Sequence, residues 1–133
     1  MAAGASVSER YQTGLGVQGV FDTAAWYEAL RKGIDGPLGD VIDIGCAEGV
    51  MCALAVADGA ERVVGIDLDP ERIATARATV QGATFAVADA TTYDGEYWRT
   101  VICSQIIHWL GREAAVRWFR KASRNLAVVF RLA

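Results

Sequence analysis

No apolar run in this sequence approaches the roughly 20 residues that a membrane-spanning helix needs, so no membrane association is expected. The N-terminal stretch MAAGASVSER lacks the apolar core of a signal peptide and reads as a mobile tail. Cysteine is sparse and odd in number: Cys46, Cys52 and Cys103 show no metal-like pairing and lie in apolar segments. They are expected to be reduced packing residues of a cytoplasmic protein. Excess positive charge is also missing. A net charge of −3 counts against a general nucleic-acid binder, whose phosphate contacts need a basic surface. Internal repeats and low-complexity segments are absent, and 133 residues suit one domain with one core, taken here as 1–133.

What is present is globular in composition, with 53% hydrophobic and 22% charged residues. FDTAAWYEALRKG reads as a helix capped by Asp22 and ended by Gly33, with Trp26, Ala29 and Leu30 on one face. DVIDIG is a short, continuously apolar strand of the kind buried on both faces of a parallel sheet. VMCALAVADG follows as a helix closed by Gly59, and RVVGID as the second strand. DPERIATARATVQG has a helix's signals throughout: Asp69 as N-cap, Pro70 at the first position, Ile73, Ala76, Arg77 and Val80 at helical spacing, and Gly82 at the stop. ATFAVAD and TVICSQ are strands three and four. REAAVRWFRKASRN reads as a helix with Ala115, Trp118, Phe119 and Ala122 buried, and LAVVFRL as the fifth strand. Strands alternating with helices make an α/β domain with a parallel sheet and right-handed crossovers.

In such sheets ligands bind beyond the carboxyl ends of the strands. Asp43 lies in strand one, Asp67 ends strand two and Asp89 ends strand three. Gly45 and Gly49 bracket the turn after strand one, where the next helix presents free N–H groups. An acid about twenty residues further on, at the tip of strand two, is placed to accept hydrogen bonds from a ribose diol. The turn Gly45-Cys46-Ala47-Glu48-Gly49-Val50 departs from the G-x-G-x-x-G fingerprint that admits a dinucleotide pyrophosphate. Glu48 suits the positive start of the helix and would repel a pyrophosphate. A nicotinamide-dependent oxidoreductase is therefore disfavoured, and an adenosine ligand carrying positive charge fits better.

Together VIDIGCAEG, VVGIDLDPERIATARA, TFAVADAT and VICSQIIHWL resemble the successive motifs of class I S-adenosylmethionine-dependent methyltransferases, over about residues 20 to 131. The resemblance implies a three-layer, Rossmann-like sandwich with a mostly parallel five-stranded sheet in the order 3-2-1-4-5, and S-adenosyl-L-methionine as cofactor. Asp43, Gly45, Cys46, Ala47 and Gly49 would form the loop under the methionine part, Asp43 binding loop amides. Asp67 would bind the ribose hydroxyls, Leu68 would pack on the adenine, and Asp89 with Ala90 would read its edge. Ser104 and Gln105 would flank the reactive methyl. His108, the only histidine, is either a general base for the acceptor or a packing residue beside Trp109. Residues 1–20, with Tyr11, would be a tail or lid, and Trp26 would be core or lid packing.

The family's usual pattern has seven strands, and this sequence stops after five. CSQI lacks the N/D-P-P-Y signature of enzymes acting on amide or base nitrogens. The implied reaction is methyl transfer to an oxygen or nitrogen of a small-molecule acceptor. The rival is a non-catalytic or truncated cofactor-binding subunit. LAVVFRL, as an unprotected edge, is expected to pair across a homodimer or with a partner chain. The helix bearing Arg112, Arg117, Arg120, Lys121 and Arg124 is expected to carry a solvated basic face.

Overall fold

The computed structural model describes residues 23–104 and 106–129. A helix spans 23–32 (α1) and leads into β1 (Asp40–Ile44), α2 (Val50–Ala57), β2 (Arg62–Asp67), α3 (Pro70–Thr79), β3 (Thr84–Val87) and β4 (Trp98–Ser104). The short α4 (Ile107–Leu110), α5 (Arg112–Lys121) and β5 (Ala122–Val129) follow. The strands form one five-stranded sheet in the order β3-β2-β1-β4-β5, with every pairing parallel, as the resemblance implied.

β1 is the centre of this sheet, and its sequence explains why. Val41, Ile42 and Ile44 are fully buried, with alternate side chains feeding opposite faces. Val41 joins Met51, Cys52, Ala55, Ile73 and Phe85 under α2 and α3. Ile42 and Ile44 join Trp98, Val101, Leu110 and Trp118 under α4 and α5. The sheet is thus covered on both sides, a three-layer sandwich. Trp118 is the heaviest fixing point of the second layer. It is fully buried, stacks on Tyr93 with ring centroids 4.9 Å apart, and donates its indole N–H to the Ala90 carbonyl at 2.8 Å. Losing so large a buried aromatic side chain costs about 3–5 kcal/mol.

α3 starts as its sequence demands. Asp69 caps it by accepting from the Glu71 and Arg72 N–H groups at 2.9 and 3.4 Å, and Pro70 takes the first helical position. It ends at Thr79, before the expected stop at Gly82. The largest difference lies at α5. This helix stops at Lys121 and the chain passes directly into β5, so Ser123, Arg124 and Asn125 belong to a strand. The polar residues that resembled a helix end are the exposed first half of an edge strand, where Asn125 also donates to the Thr100 hydroxyl at 3.0 Å. On α5, Ala114 and Lys121 are buried with Trp118, while Phe119 is 38% exposed. On α1, Tyr27 rather than Ala29 faces the core. Asp22, Tyr11 and the segment 1–20 lie outside the described residues.

Candidate functional site at the ends of the central strands

The turn after β1 is held to the tip of β2. The N–H groups of Gly45 and Cys46 both donate to the Ile66 carbonyl, at 2.8 and 2.9 Å. The Ala47 N–H donates to Asp67 Oδ2 at 2.9 Å, and the Asp69 N–H to Asp67 Oδ1 at 2.9 Å. Gly49 closes the turn, its N–H bonded to the Cys46 carbonyl. Here glycine is required: Gly49 has φ +87°, and a Cβ would lie 2.9 Å from the Phe85 ring. Gly45, at φ +75°, would put a Cβ 2.8 Å from Ile106.

Asp67 therefore does the ordering that the sequence assigned to Asp43. Among the described residues Asp43 binds no loop amide. It is 1% exposed, and among the described residues its Oδ2 receives only the Cys52 thiol at 3.9 Å and its Oδ1 has no hydrogen-bond partner. Burial, then the charge of Asp67, push its carboxyl up to about 8, so it holds a proton at neutral pH. Burial and Asp43 also push the Cys103 thiol up to about 12. The Cys52 thiol is raised by its hydrogen bond with Cys46, by burial and by Asp43. None of these conditions favours a thiolate, in keeping with packing cysteines. Glu48 stands just ahead of α2, as expected of an acid at a helix start. It is 5% exposed and pairs with Arg72 at 3.8 Å, an arginine that also lies 3.7 Å from Asp69.

Two cavities of about 330 Å³ each meet at this point. The first is walled by Asp43, Cys46, Glu48 and Arg72, with Thr23 and Trp26 of α1 across from them. The second is walled by Ile66, Leu68, Ala88, Asp89, Ala90 and Leu110. Gly45, Asp67, Ile106 and Trp109 line both. Asp89 lies two residues beyond the end of β3, in a turn. Its Oδ1 accepts from the Thr91 hydroxyl and N–H at 2.7 and 2.8 Å, which holds its carboxyl below the usual range.

The geometry brings together Asp43, Gly45, Cys46, Ala47, Asp67, Leu68, Asp89 and Ala90, while Gly49 lines neither cavity and closes the turn by its bond to the Cys46 carbonyl. Ser104 ends β4 and His108 lies in α4, but their side chains, and all of Gln105, are outside the described residues. Sequence reasoning missed Arg72 and Ile106 as cavity walls and treated Trp109 only as a neighbour. Arg72 was masked by a good helix start, and the other two by a segment that reads as plain apolar chain.

The model of the methyltransferase domain family matches residues 41–128. The ribosomal protein L11 methyltransferase of Geobacter metallireducens is 50% identical over 50 residues, 38% of this chain and 16% of the relative. That of Dechloromonas aromatica is 42% identical over 60 residues, 43% of this chain and 20% of the relative. This chain thus spans a fifth or less of the length of these two curated relatives. A crystal structure of an S-adenosylmethionine-dependent methyltransferase from Mesorhizobium loti superposes with a TM-score of 0.63 at 29% identity, over 80% of this chain and 50% of that one. The aminopentose methyltransferase CalS10 of Micromonospora echinaspora, with S-adenosylmethionine bound, shares the fold at TM-score 0.66 and 24% identity, over 90% of this chain and 52% of that one.

Two expectations are corrected here. The curated relatives are named for a protein as acceptor, against the small-molecule acceptor expected from the sequence. The homodimer or partner chain expected at the fifth strand is not shown: among the described residues β5 pairs with β4 alone. No helix of the described residues is long and apolar enough to cross a membrane.

Proposed function

Because the chain belongs to the methyltransferase domain family, we propose that it binds S-adenosyl-L-methionine across the two cavities and directs methyl transfer to a protein acceptor. The observation that carries this reading is Asp67. It stands on the wall common to both cavities, and backbone N–H groups fix each of its oxygens. A carboxylate oxygen has a second acceptor site, so the same two oxygens can take the ribose hydroxyls without releasing the loop. The adenine belongs in the second cavity, on Leu68 and beside Ala90, with Asp89 Oδ2 facing its amine. The methionine part belongs in the first. There the orphan Oδ1 of Asp43 suits an ammonium, and the unblocked N–H groups at the start of α2 suit a carboxylate. Glu48 and Asp67 against one arginine, with Asp43 protonated beside them, favour a sulfonium ligand over a pyrophosphate.

When bound, the cofactor supplies an electrophilic methyl group on a sulfonium. The chain's part is to hold the acceptor atom in line with it, which alone can supply several kcal/mol. Asp67 and the glycine turn fix the cofactor, and Trp109 and Ile106 exclude water at the junction. Ser104 and Gln105 border the methyl, and His108 takes the acceptor's proton. One domain of this kind accounts for the described residues, with 1–20 as tail or lid. Three free, buried cysteines suit a reducing cytoplasm. Calorimetry against S-adenosylmethionine, S-adenosylhomocysteine and NAD tests the reading. Both sulfur ligands should bind and NAD should not; NAD binding without either of them overturns it.

A further inference from the structure

Beside the site runs a third depression, a groove of about 670 Å³ between α5 and the segment that leads into β4. Its walls carry Arg112, Arg117, Arg120 and Lys121 against Asp94 and Glu113, an excess of positive charge in a chain whose net charge is −3. The four cations are not equivalent. Lys121 is buried, donates to the Gly95 carbonyl at 2.5 Å, pairs with Asp94 at 3.1 Å and lies 5.2 Å from the centre of the Tyr97 ring. Arg117 donates to the Thr91 carbonyl. These two build the groove. Arg112 and Arg120 are exposed and have no carboxylate partner among the described residues. Between them the groove offers apolar surface, with Tyr97 69% and Val116 38% exposed.

We propose that this groove docks an acidic, partly apolar segment of the protein acceptor. The proposal rests on the reading that the acceptor is a protein. Its placement suits that task. Arg112 opens α5 just after Trp109, which lines both cavities, and Arg117 is bonded to Thr91, which lines the second. A chain held there lies next to the site. Two outward cations complement carboxylates and steer association. The exposed Val116 and the Tyr97 ring fit apolar side chains between the acids. RNA fits less well: a phosphate backbone needs a continuous basic track and several stacking rings, whereas this groove has two acids in its walls and one exposed ring.

The test uses a fluorescein-labelled peptide of alternating Glu, Leu and Ala, its Gln counterpart, and a single-stranded RNA of equal charge, each titrated by anisotropy. The protein is the full chain, as wild type and as the double variant Arg112→Glu/Arg120→Glu. The acidic peptide should bind, weaken as salt rises, and lose at least about tenfold in the variant, while the Gln peptide binds poorly. Melting and S-adenosylhomocysteine affinity should be unchanged in the variant. Absent peptide binding, peptide binding indifferent to the variant, or tighter binding of RNA that the variant abolishes would each overturn the proposal. Peptide binding by a protein that fails to bind S-adenosylhomocysteine leaves the groove assigned and removes the cofactor reading instead.

Discussion

The two cavities on either side of Asp67 are of equal size but are built differently. The walls of the first are core: Asp43, Cys46, Glu48 and Met51 are all 5% exposed or less. The second is core at its floor, where Ile66, Ala90 and Leu110 are buried, but its rim stands out, with Leu68 65% and Trp109, which both cavities share, 75% exposed. A residue buried in the first cavity answers to stability and to ligand binding together. A leucine standing out over the second, as Leu68 does, adds little to the core and can meet what lands on it. Substitutions among the buried walls of the first should therefore move stability and affinity together, and substitution of Leu68 on the rim of the second should move affinity alone.

The largest effect should come from Asp43, and it should depend on pH. Its folded-state carboxyl sits at about 8, above the 3.8 of an unperturbed aspartate. Between those values the folded protein holds a proton that the unfolded chain has released. This contribution to stability is complete below about pH 4 and is lost as pH rises through about 8. Asp43→Asn removes the titration. It should match the wild type in urea melts near pH 4 and exceed it at pH 8.5 by several kcal/mol, with about 6 as a ceiling. It should also weaken S-adenosylmethionine binding above about pH 8, where wild-type Asp43 is ionised and an amide cannot balance an ammonium. Wild-type stability that stays flat across this window would deprive the first cavity of its buried acid.

Next is Gly49→Ala, which forces a Cβ against Phe85 at a φ that non-glycine residues resist. A loss of about 3 kcal/mol is expected, combining overpacking with backbone strain. Cofactor affinity should fall with it, since the turn carrying Ala47 moves. Asp67→Ala follows, at about 2 kcal/mol of stability for the two charge-assisted bonds to Ala47 and Asp69, and a loss of affinity of similar size. Were the melt unmoved and only affinity lost, Asp67 would belong wholly to the ligand and not to the division drawn here.

Much of this was legible in the sequence, for identifiable reasons. RVVGID gave its strand to the residue because an exposed arginine and a tip aspartate bound a buried apolar run. Strand order could be carried over because each strand had its own motif. The end of α5 was not legible. Helical spacing continues through Ser123 to Asn125, and only tertiary pairing of Thr100 with Asn125 and of Val101 with Leu126 makes them strand. The positions of Asp43, Asp67 and Asp89 were readable, but the division of labour between the first two was not. Which carboxylate receives the Ala47 N–H depends on the height of the turn relative to β2. That height is set by the two bonds to the Ile66 carbonyl, a contact without any sequence signal.

Leu68→Ala should give the smallest effect and the sharpest control. Leu68 follows the tip of β2, is 65% exposed, and belongs to neither buried cluster. Truncating it removes no core contact, so urea midpoints should stay within error of the wild type, as is usual for exposed sites. An adenine resting on it would bury most of that side chain. At about 25 cal/mol per Å² of apolar area, losing that surface should weaken S-adenosylhomocysteine binding by about 1 kcal/mol, roughly fivefold. The result is read beside Asp67→Ala, whose residue neighbours Leu68 in the chain. If Leu68→Ala lowers stability as much as Asp67→Ala does, the rim of the second cavity is also core and the contrast fails. If it changes neither stability nor affinity, the adenine lies elsewhere, and the second cavity loses its assigned occupant while Asp67 keeps the ribose.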